Sequence, residues 1–82
     1  MTHYTESYAN LSMEEADAKA MKDIADFRGQ EWVDKMTVKF REGPQYKIGE
    51  FRMALSFGGI QGYPCYAWFR KIWPEASTEE KE

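Results

Sequence analysis

The side chains in this chain that could do chemistry are few, and their spacing limits them further. There is one histidine, His3, and one cysteine, Cys65. A zinc site takes four ligands, mostly cysteine and histidine, and two such residues 62 positions apart do not supply them. A general base must be held against the proton it removes, and His3 sits in a polar, aperiodic stretch. Cys65 sits among apolar residues, where burial keeps a thiol protonated and inert. Five carboxylates, Glu14, Glu15, Asp17, Asp23 and Asp26, crowd residues 14–26. Asp23 and Asp26 would fall on neighbouring turns of a helix, but no histidine joins them, and the cluster reads as an exposed acidic face. Gly58-Gly59-Ile60-Gln61-Gly62 is rich in glycine, yet it lacks the lysine and the strand–loop–helix setting of a phosphate loop. The expectation is a non-enzyme with no cofactor and no metal.

One constellation stands above background: Tyr63, Tyr66, Trp68, Phe69, Arg70, Lys71 and Trp73. Aromatics interleaved with bases can stack on nucleobases and neutralise phosphates. Aromatics and arginine are also the usual anchors of protein interfaces. At 100° per residue, Cys65, Tyr66, Trp68, Phe69, Ile72 and Trp73 fill one arc of about 160°, with Ala67, Arg70 and Lys71 on the other side. As a strand, the same stretch would put Arg70 on one face and Lys71 on the other, leaving neither apolar. A helix is expected, opened by Pro64 and stopped by Pro74. Trp68, Phe69 and Ile72 then read as core. The residues expected to bind a partner are Tyr63, Tyr66, Arg70, Lys71 and Trp73.

The elements that must position this segment follow from periodicity. Ser12-Met13-Glu14-Glu15 is a capping box, and Met13, Ala16, Ala20, Ile24 and Phe27 recur at helical spacing behind it. Gly29 suits the end of that helix. Trp32, Val33, Met36 and Phe40 lie on one arc of a helix over 30–42, with Val38 off the arc and Gly43-Pro44 as the stop, while Thr37-Val38-Lys39-Phe40-Arg41 also alternates as a strand would. Tyr46 to Phe57 admits two readings. Ile48, Phe51 and Leu55 make a helical stripe, while Phe51, Met53, Leu55 and Phe57 alternate as a half-buried strand would. β-branched residues are sparse, which is thin for a sheet. The expected fold is all-α, a compact bundle of about four short helices. The alternative is α+β, with the N-terminal helix on a small antiparallel hairpin or sheet from residues 37–57.

Eighty-two residues make one domain. It is expected over 11–74, between a flexible arm at 1–10 and a disordered acidic tail at 75–82. No apolar run approaches the ~18 residues of a membrane span, and the N-terminus lacks the basic and apolar regions of a signal peptide. With a single cysteine, the expected location is cytoplasmic. The net charge of −3 is unevenly laid out, with an acidic first half, a basic stretch over 35–73 and an acidic end.

These features lead to two functional expectations. The first is a non-catalytic protein-binding module, a small regulator or inhibitor acting on a larger protein, or a chain that self-associates. The second is a small helix-turn-helix-like nucleic-acid binder using Lys35, Lys39, Arg41, Lys47 and Arg52. Tyr46-Lys47-Ile48-Gly49-Glu50-Phe51 resembles the opening of the first helix in MerR-type DNA-binding domains, and Gly59-Ile60 with Trp68 resembles their recognition helix. The resemblance implies DNA binding and covers about a third of the chain. It departs where the connecting stretch is too long and where the second helix is apolar rather than polar, so it assigns no family.

Overall fold

The computed structural model describes residues 8–76. Four helices follow one another: α1 over Met13–Arg28, α2 over Gln30–Glu42, α3 over Ile48–Ser56 and α4 over Tyr63–Ile72. Among the described residues there is no strand. The fold is the all-α bundle, and the hairpin over 37–57 does not form. The burial pattern of α3 shows why. Ile48, Phe51 and Leu55 are buried, whereas Met53 and Phe57 are 64% and 86% exposed. Alternation would have put Phe51, Met53, Leu55 and Phe57 on one face, but only the helical spacing matches what is buried.

The capping box opens α1 as its sequence implies. The Glu15 N–H donates to Ser12 Oγ at 3.1 Å and the Ser12 N–H donates to Glu15 Oε1 at 3.0 Å, an arrangement that stabilises a helix by about 1 kcal/mol. Ala16, Ala20 and Ile24 are buried, but Met13 and Phe27, at the two ends of the same arc, are 67% and 60% exposed. Sixteen residues span about 24 Å and the ten of α4 about 15 Å. The longer helix therefore runs past its partner at the ends. Gly29, with φ of +96°, is the joint to α2. Its N–H donates to the Ala25 carbonyl at 2.7 Å and its own carbonyl accepts from Val33 at 3.1 Å. In α2, Val33 is buried, Trp32, Met36 and Phe40 pack half-buried on the core, and Val38 faces out.

Helix α4 is the centre of the bundle and packs against each of the other three. Trp68, Phe69, Cys65 and Ile72 are buried. Two positions differ from the helical wheel. Ala67, placed on the polar side, is 2% exposed and packs with Tyr8, Ala16 and Ala20. Alanines on both sides let α1 and α4 approach closely, so α4 is buried over a wider arc than its large residues mark. Trp73, expected to bind a partner, is 2% exposed, which removes it from the partner-binding set. Its backbone has left helical angles (φ −127°, ψ 75°), so the wheel position does not apply. Its ring instead packs among Phe40, Tyr46, Phe51 and Phe69.

The domain edges also shift. Tyr8, placed in the arm, is buried against α1. Glu75 and Ala76, placed in the tail, are tied down: Arg41 Nη1 donates to Glu75 Oε2 at 2.9 Å, and the Ala76 N–H donates to the Trp73 carbonyl at 3.0 Å. The rest of the expected arm and tail, 1–7 with His3 and 77–82, lies outside the described residues.

Candidate functional site

The five residues expected to bind a partner do not form one free surface. Trp73 is core. Tyr63 and Arg70 join Asp17 in a network that ties α4 to α1. Tyr63 donates to Asp17 Oδ1 at 2.6 Å, while Arg70 Nη2 donates to the same oxygen at 2.6 Å and to the Tyr63 hydroxyl at 2.9 Å. Burial, then the bond to Asp17, pushes the Tyr63 hydroxyl above its ordinary pKa. Burial opposes the charge of Arg70, but the bonds to Asp17 and Tyr63 together with their charge attraction outweigh it and raise that pKa too. Arg70 Nε is buried and has no hydrogen-bond partner among the described residues. Tyr66 is half-buried, with the Arg52 guanidinium 5.4 Å from its ring centroid. Of the five, only Lys71 is exposed.

The basic set is also divided. Lys35 and Lys39 lie on the outer face of α2, but helical geometry puts Glu31 and Glu42 on the same stripe. Arg41 donates to the Ile72 carbonyl at 2.9 Å as well as to Glu75. Lys47 precedes α3, where its N–H donates to Glu50 Oε1 at 3.0 Å. The acidic face of α1 is laced to its own lysines, Lys19–Asp23 and Lys22–Asp26, both at 2.9 Å. Among the described residues no three His, Cys, Asp or Glu side chains are grouped to hold a metal ion. Cys65 is buried, its thiol donates to the Ile60 carbonyl at 3.4 Å, and burial pushes its pKa up to about 11. At neutral pH it is a packed thiol rather than a nucleophile.

A different surface does stand out. On α3, Glu50, Met53 and Phe57 share the side opposite the buried stripe. Phe57, at the helix end, is the most exposed large apolar residue among those described. The Gly58-Gly59 turn that follows is pressed against the end of α1. Arg28 Nη1 donates to the Gly58 carbonyl at 3.3 Å. Gly59 has φ of +88°, and a Cβ there would come within 3.1 Å of the Phe27 ring. Phe27 and Phe57 thus flank one glycine turn. The Arg28 guanidinium also stacks 4.1 Å from the Trp32 ring centroid. An apolar groove of about 110 Å³ runs past Arg28, Trp32, Ala54 and Gly58. On the other flank of α3, a wider groove of about 430 Å³ passes Gly49, Met53, Ser56 and Gly62.

Met53 and Phe57 are the two residues whose i,i+2 alternation with Phe51 and Leu55 competed with the helical reading. Once helix is chosen, their position off the stripe is the signal that they face out. No family model, curated protein or solved structure matches this chain at a significant level. No helix among the described residues is long and apolar enough to cross a membrane.

Proposed function

We propose that this protein is a non-catalytic protein-binding module, a small regulator or inhibitor in kind, whose contact surface is the apolar patch around Phe57. The observation that carries the reading is the 86% exposure of Phe57, with Met53 beside it on α3 and Phe27 across the glycine turn. Large exposed aromatics grouped with other apolar side chains mark interaction sites on soluble proteins. An aromatic at the middle of such a patch, with arginine nearby, is the usual composition of a binding hot spot. The lone thiol, buried and protonated, suits a reducing compartment, and we place the protein in the cytoplasm.

A photo-crosslinking amino acid placed at 57, and separately at 71, tests the surface in host extract. Adducts with another polypeptide should form from position 57 and be suppressed by Met53→Asp. Adducts from position 71 alone would return the contact to the exposed edge of α4 and sink the Phe57 reading.

A further inference from the structure

We infer that the occupant of the Phe57 surface is a second copy of this chain, docked α3 against α3 about a two-fold axis. The inference rests on the Phe57 surface being a docking surface and names what covers it.

The face has the layout that a two-fold requires, in which one patch must complement itself. Glu50 stands in the first turn of α3, and Arg28 stands beyond its last turn, hydrogen-bonded to the Gly58 carbonyl. Met53 and Phe57 lie between them. Glu50 and Phe57 are seven residues apart, about 10 Å along the helix. When two such helices are laid antiparallel with the axis at the level of Met53, each Glu50 comes level with Phe57 and the neighbouring Arg28 of the other copy. The axis keeps the Arg28 side of one face against the same side of the other. Acid therefore meets base at both ends, and Met53 meets Met53 in the middle. The two Phe57 rings take the remaining space. Each lies against Met53 and Gly49 of the other copy, along the 430 Å³ groove that these two residues line. The result is an apolar centre closed by two charge pairs, the usual anatomy of a protein interface. A parallel pairing would instead set Glu50 against Glu50 and Arg28 against Arg28.

The full chain is tested by sedimentation equilibrium from about 1 µM to about 1 mM, the range over which a modest interface dissociates. The expected mass rises toward twice the 9.6 kDa of one chain. Phe57→Asp should raise the dissociation constant at least about 100-fold. Phe57 is exposed, so helical circular dichroism should not change. Glu50→Arg should weaken association about tenfold, and combining it with Arg28→Glu should restore most of that loss. A chain that stays monomeric throughout overturns the inference, as does a Phe57→Asp variant that still dimerises. Charge reversal without effect, or growth beyond a dimer, overturns the two-fold arrangement. A monomeric chain that still crosslinks to a different protein from position 57 ends this inference and leaves the protein-binding reading standing. A monomer with no adduct from 57 ends both.

Discussion

Trp68 donates its indole N–H to the Thr37 hydroxyl at 2.9 Å, and that hydroxyl donates in turn to the Val33 carbonyl at 2.7 Å. Trp68 is fully buried at the centre of α4. Its ring stands 5.6–6.0 Å from those of Trp32, Phe40 and Phe51. In that apolar setting its single polar atom has one partner, supplied by α2. An unpaired buried donor costs about 1–3 kcal/mol.

Thr37→Val keeps the shape of the side chain and removes the acceptor. It should destabilise the fold by about 1–3 kcal/mol, and Thr37→Ser should recover much of the loss. A urea titration checks this through a lower midpoint at unchanged slope.

Trp73→Ala tests the corrected place of the last aromatic. As a core residue it should cost about 3–5 kcal/mol on truncation, with a cooperative transition at much lower urea. Loss of partner capture at unchanged stability would instead mean that Trp73 is surface.

Ala67→Leu tests the close α1–α4 contact. Ala67 is buried against Ala16 and Ala20, three more carbons would press into that contact, and overpacking costs about 1–3 kcal/mol. If α4 presented Ala67 to solvent, as its wheel suggested, the same change would leave the thermal midpoint within error of the parent.

Asp23 predicts an acid limb. Partial burial works against its charge, yet its bonds with Lys19 and Tyr8 hold the carboxyl below its ordinary pKa. The unfolded chain therefore binds the proton more tightly. The stability this contributes is fully present above about pH 3.9 and is lost as pH falls through the folded value. Thermal midpoints from pH 7 to pH 2 should fall less steeply for Asp23→Asn than for the parent.

Much of the fold is legible in local signals. Ser12 and Glu15 announce the start of α1, and Gly29 and Gly43-Pro44 punctuate α2. For α3 the choice between helix and strand rested on which of Phe51, Met53, Leu55 and Phe57 would be buried, a property of neighbours rather than of the segment. The candidate surface was obscured for the same reason. The aromatic run at Tyr63–Trp73 drew attention by composition, yet it is the middle of the bundle, while Phe57 sits in an unremarkable stretch.

The sequence by itself determined α1 and α4 and most of their inward stripes, because side-chain period and end signals act within a few residues. The tertiary structure alone decided what lies over each stripe. Ala67 is buried because two alanines oppose it, Trp73 because the chain leaves the helix at its position, and Phe57 is bare because no element among the described residues crosses the outer face of α3. Periodicity describes one helix in isolation; burial depends on the helices packed around it.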